Sequence, residues 1–201
     1  MRGKIKYIAC ILIGVVFAAL AATRVMEAKA EALQQEIAKE VFRFHVLANS
    51  DGEADQNLKM QVKKAILSYM QSMLSPAESV EETKNWAESH LAQLEMVAAE
   101  VVKANGFSYE VRAEVTECYF PEKSYGDVTF PAGKYEALRI EIGEAKGQNW
   151  WCVLYPNLCF RDAIHAVVPD EGKEELKQVL EDDAYELITT KTRFRLKWFF
   201  F

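Results

Sequence analysis

The sequence predicts an α+β protein: an N-terminal strand and two helices, then an antiparallel meander, a C-terminal helix and a final strand, all in one domain. Three observations carry that reading. Apolar residues recur at helical spacing from Leu58 to Val101, the period switches to two from Tyr109 onward, and neither a repeat nor a linker divides the 201 residues. Half of the residues are hydrophobic and 27% are charged, which excludes both a disordered tail and a polytopic membrane protein.

The first thirty residues stand apart from the rest. Arg2, Lys4 and Lys6 form a basic leader, and Ile8 to Ala22 then runs without a charge. That is the layout of a secretory signal, and the run is short for a bilayer span, which wants about 20 apolar residues. Ala19-Leu20-Ala21 and Ala28-Lys29-Ala30 both offer cleavage geometry. Residues 1–30 are therefore expected to be a signal peptide or an N-terminal membrane anchor, and residues 31–201 a single extracytoplasmic domain. Charge divides the same way: residues 1–30 carry +4, and the remaining 171 residues carry −10. A body that acidic lacks the basic face that phosphate neutralisation needs, so nucleic acid is not an expected partner.

Ala30 to Lys39 reads as a short helix with Leu33 and Ile37 on one side, and Phe42 to Ala48 as a strand ending at the turn Asn49-Ser50-Asp51-Gly52. Ser50 and Glu53 have the spacing of a capping box, opening a helix whose stripe is Leu58, Val62, Ile66, Tyr69 and Met73. Ser75-Pro76-Ala77-Glu78 opens a second long helix, which runs through Leu91 and Val101 to a stop at Gly106. Three strands follow: Tyr109 to Thr116, Leu138 to Ile142, and Asn149 to Tyr155. A helix from about Glu171 to Leu180 and a strand from Lys191 to Phe199 complete the chain.

The search for chemistry gives little. Asp51, Glu53, Asp55 and Asn57 have the spacing of a calcium loop, but Gln56 and Val62 occupy the positions that need Gly and Glu, and the helix cap accounts for the acids. The sequence holds no C-x-x-C, His-x-x-His or HExxH spacing, so no metal or other cofactor is expected. With Cys10 in the leader, Cys118, Cys152 and Cys159 allow one internal disulfide among three pairings. Cys152 and Cys159, flanking Pro156, are the easiest to close. A Cys–His nucleophile using Cys152 or Cys159 with His45 or His165 is the enzymatic alternative, an extracytoplasmic hydrolase acting on envelope material.

Aromatic content is more informative. Phe120 to Tyr135 forms a connection longer than ordinary hairpin loops, carrying Phe120, Tyr125, Phe130 and Tyr135. Trp150 and Trp151 are adjacent, so in a strand their rings point to opposite faces. These six residues are candidates for a protein interface, against a minor aromatic core under the loop as the other reading. At the C-terminus Lys191, Arg193, Arg195 and Lys197 alternate with apolar residues. That pattern suits a charged edge strand, or a docking strip in which Arg193 and Arg195 meet an acidic partner or an anionic membrane.

Several long words of the sequence then matter together: Phe42-Arg43-Phe44-His45-Val46-Leu47-Ala48-Asn49-Ser50-Asp51, Phe120-Pro121-Glu122-Lys123-Ser124-Tyr125-Gly126, Phe130-Pro131-Ala132-Gly133-Lys134-Tyr135, and Gly147-Gln148-Asn149-Trp150-Trp151-Cys152. Over roughly residues 40–165 the chain resembles the stage II sporulation protein R family. Asn157 stands where many members have a second Pro, and the C-terminal tail is short; both departures touch only a turn and the tail. The resemblance implies a non-catalytic signal made in the forespore and exported into the space between forespore and mother cell. It would there activate a membrane-embedded aspartic protease, the expected partner, which matures pro-sigma-E. No small-molecule substrate is expected. A structural adaptor acting through the basic C-terminal strand is a third reading.

Overall fold

In a computed structural model of the chain, the described residues are 2–73, 79–159 and 168–190. The protein is α+β, as the sequence predicts. Helix α1 (Arg2–Glu40) leads into strand β1 (Phe42–Leu47). Helices α2 (Glu53–Met73), α3 (Val80–Ser89) and α4 (Leu91–Ala104) follow, then β2 (Val111–Phe120), the short pair β3 (Lys123–Tyr125) and β4 (Val128–Phe130), β5 (Gly133–Ile142), β6 (Asn149–Tyr155), α5 (Asp170–Val179) and α6 (Asp182–Thr189).

The main sheet has the order β2-β5-β1-β6. Its three long hairpin-like strands do not form the expected meander, because β1 inserts between β5 and β6. β1 runs parallel to β5, with Phe44 opposite Leu138 and Val46 opposite Ile140, and antiparallel to β6. All six residues of β1 are buried, Arg43 and His45 included, as its central place in the sheet requires.

One face of the sheet is covered by α2, α3 and α4. Leu58, Val62, Ile66 and Met70 of α2 and Leu94, Ala98 and Val102 of α4 pack on Phe44, Val46, Leu138, Ile140 and Ile142. The long helix expected up to Gly106 is broken into α3 and α4 at His90. The His90 N–H bonds the Ala87 carbonyl three residues back, and its Nδ1 lies 2.7 Å from the Trp86 carbonyl oxygen, so the side chain competes with the regular ladder. Ser79 caps α3 through its side chain; Ser75 to Glu78, the expected start, lies outside the described residues. A second apolar cluster on the other face joins Ile37 and Val41 to Phe120, Phe130, Tyr135, Leu176 and Ile188.

The short helix expected from Ala30 to Lys39 is the end of a longer one: α1 is one helix from the leader into the core. Between Val15 and Glu40 the sequence has neither Gly nor Pro and is rich in Ala, so nothing stops propagation. It exposes Ile11, Leu12, Val15, Phe17 and Leu20, and from Ile11 to Glu40 it is, by length and composition, long and apolar enough to cross a membrane. That is compatible with a signal sequence or an anchor. Its C-terminal end is tied to the domain by Ile37 and by Gln34, whose Nε2 donates to the Lys134 carbonyl. The expected strand from Lys191 to Phe199 lies outside the described residues.

Candidate functional site

The segment from Phe120 to Tyr135 is a second small sheet folded over the main one. β3 and β4 pair antiparallel around Gly126, whose φ of 63° suits a residue without Cβ. Asp127 fastens the turn to the start of α5: its carboxylate accepts from the Val168 N–H at 2.9 Å and pairs with Lys173 at 2.6 Å. Those bonds hold the Asp127 carboxyl below its usual range despite opposing burial.

Beneath this flap lies Arg43, fully buried on β1. Its guanidinium is 4.2 Å from the centroid of Phe120, 4.8 Å from Tyr135, 5.3 Å from Phe130 and 5.9 Å from Tyr125. Nε donates to the Cys152 carbonyl at 3.3 Å and Nη2 to the Tyr125 hydroxyl at 2.9 Å, while Nη1 is buried without a hydrogen-bond partner. Aromatic faces in place of a carboxylate are the main compensation for this cation; a desolvated cation–π contact contributes about 2 kcal/mol. Burial raises the pKa of both Tyr125 and Tyr135.

This geometry relocates the candidate interface residues. Phe120 and Phe130 are completely buried and Tyr135 nearly so, each facing Arg43 and its own neighbours rather than solvent. Tyr125 keeps partial exposure. Trp150 and Trp151 lie on opposite faces of β6 and are half-buried: Trp150 meets Phe44 edge-on, and Trp151 stacks on His45 at 4.9 Å. Arg193 and Arg195 lie outside the described residues. The exposed aromatic of this region is Tyr119, at 63%. In the sequence it opens the aromatic segment just before Phe120; in the structure it lies in β2, and its exposure depends on what covers that end of the strand.

Cys152 and Cys159 form a disulfide, with Cα atoms 5.8 Å apart. The cysteine that meets a histidine is instead Cys118, whose Sγ is 3.4 Å from His45 Nε2. Burial pushes the Cys118 thiol up to about 11. Burial, then Arg139 and Arg43, push His45 down to about 3. Both groups are held neutral, so this pair has neither the thiolate nor the imidazolium that a Cys nucleophile uses. His165 lies outside the described residues. Among the described residues no cluster of three His, Cys, Asp or Glu side chains could hold a metal ion.

The turn acids have structural employment. Asp55 accepts from Ser50 Oγ at 2.6 Å and Asn49 Nδ2 at 2.8 Å, which hold its carboxyl below its usual range. Asp51 accepts from the Gln148 N–H, and Lys59 donates to Gln56 Oε1 and the Gln148 carbonyl. Ser50 therefore braces Asp55 and the Gly52 N–H rather than forming the expected capping box with Glu53. Gly147 is required where this turn meets the next, because a Cβ there would run into the Ser50 carbonyl.

No solved structure matches the chain. Stage II sporulation protein R of Bacillus subtilis (strain 168) is 36% identical over 152 residues, covering 73% of this chain and 68% of that protein. The sequence profile described as stage II sporulation protein R matches residues 38–165, a span that runs from the end of α1 past the disulfide and includes the flap and the Arg43 cage. The chain belongs to the stage II sporulation protein R family, and its role lies in sporulation.

Proposed function

We propose that the chain is an exported, non-catalytic signal that activates a membrane-embedded aspartic protease, which then matures pro-sigma-E. The observation that carries this reading is the family match over residues 38–165. Two further features support it. The apolar leader with its basic start suits export to the space between forespore and mother cell. The Cys118–His45 contact, with both groups neutral, suits a binding protein better than a hydrolase.

An activator must bind the active state of its protease more tightly than the idle one, since equal affinity shifts no equilibrium. The test is co-expression with the mother-cell protease and pro-sigma-E in a non-sporulating host. Cleavage is expected only when this chain is present, and Cys118→Ala is expected to leave it unchanged. Cleavage without the chain, or its loss in Cys118→Ala with the fold intact, would overturn the reading.

A further inference from the structure

β6 ends the main sheet on the side away from β2, and the chain that leaves it folds back on it. The Cys159 N–H donates to the Val153 carbonyl at 3.1 Å, and the Cys152–Cys159 disulfide closes this loop covalently. The side chains of the loop divide between the two faces of the sheet. Cys159 packs against the cluster under α2 and α4, whereas Leu158 is buried in the cluster on the flap face. Leu158 lies against the first turn of α5: a Cβ added at Gly172 would sit 3.3 Å from Leu158 and 3.1 Å from Val168. The start of α5 is also what fastens the flap, since the Val168 N–H and Lys173 both bond the Asp127 carboxylate. A line of contacts thus runs from the disulfide through Leu158 and α5 to the flap over Arg43. Arg43 meets the same bridged strand through the Cys152 carbonyl.

We infer that the Cys152–Cys159 disulfide is a redox latch on the flap. With the bond made, Leu158 holds α5 and the β3–β4 flap closed over Arg43; with the bond reduced, both loosen. The latch opens by exchange with a dithiol. A reagent thiolate attacks the Sγ of Cys159, the half-buried partner, and the buried Cys152 leaves as a thiolate and takes up a proton. The second reagent thiol then closes the reagent's own disulfide and frees Cys159, so two electrons pass from the dithiol to the protein. The latch is therefore open where thiols are kept reduced and shut in an oxidising compartment. Coupled to the export proposed above, the flap face takes its closed form only after the chain leaves the cytoplasm. The core under α2 and α4 is held by apolar packing and needs no bridge.

Hydrogen–deuterium exchange of the full-length chain in detergent, before and after dithiothreitol, tests the latch without export or a partner. Reduction is expected to speed exchange at least about tenfold in residues 123–130 and 170–179. Residues 58–70 and 94–102 are expected to exchange as before. Unchanged exchange in the flap overturns the latch. An equal rise in all four segments overturns it too, because the bond would then stabilise the whole domain alike. Leu158→Ala, with the disulfide intact, is expected to speed the flap and α5 by a smaller factor; no change there removes Leu158 as the link and the latch with it. The double variant Cys152→Ser, Cys159→Ser is expected to show the reduced pattern with or without dithiothreitol. A response of that variant to the reductant places the effect at another cysteine and overturns the assignment.

Discussion

The two faces of the central sheet are built from the same strands under different rules. Beneath α2 and α4, β1 contributes Phe44 and Val46, and β5 contributes Leu138 and Ile140 to an apolar core. On the opposite face β1 contributes Arg43 and His45, and their neighbours are Cys118, Arg139 and a ring of aromatics. The first face stabilises the fold by removing apolar area from water. The second buries a cation and an imidazole whose charge or proton must be managed by aromatic rings and by neutrality. A sheet needs only the first kind of face to fold, so the second suits a face whose shape is specified closely by its flap.

Three measurements probe that contrast. Phe44→Ala removes a fully buried ring from the apolar face and is expected to cost about 3–5 kcal/mol. A loss in denaturant titration near that of a surface substitution would show that the helical face does not carry stability. A smaller effect comes from pH. The His45 pKa falls from 6.5 to about 3 on folding, so the unfolded chain binds a proton between those values that the folded chain does not. Stability therefore falls as pH drops from 7 toward 4, by about 3 kcal/mol from this group. Asp55, whose carboxyl is held low, adds to the loss at the acid end. His45→Gln is expected to flatten the curve above pH 4; an unchanged slope would mean that His45 is not held neutral.

The smallest effect is expected at Arg43. Replacing a buried cation that has no carboxylate with an apolar residue of similar length is often neutral or stabilising. Arg43→Met is therefore expected to change stability by less than about 1.5 kcal/mol, whereas Arg43→Ala leaves a cavity and costs more. A large loss in Arg43→Met would assign Arg43 to folding. A small one, combined with lost pro-sigma-E cleavage, would assign the second face to activation.

Local patterns were legible in the chain, and long-range pairings were not. The stripe Leu58, Val62 and Ile66 and the alternation from Val111 to Val115 each state a period, and the structure has α2 and β2 there. The position of β1 between β5 and β6 depends on partners 94 and 108 residues away (Phe44 with Leu138 and with Cys152), and no local pattern encodes that choice. The same limit applies to the site. Phe120, Phe130 and Tyr135 stood out by type, but whether they face solvent or Arg43 depended on the flap closing over β1. Tyr119, beside them, carried no separate signal and is the one left exposed.

The sequence alone determined the apolar leader with its basic start, the α+β class and the family words, because each is a matter of local composition, period or spacing. Only the tertiary structure decided that α1 runs unbroken into the core, that Cys118 rather than a disulfide cysteine meets His45, and that β2 is the sheet's edge. Burial, neighbours and edges are properties of packed elements, and they arise only when distant segments occupy the same volume.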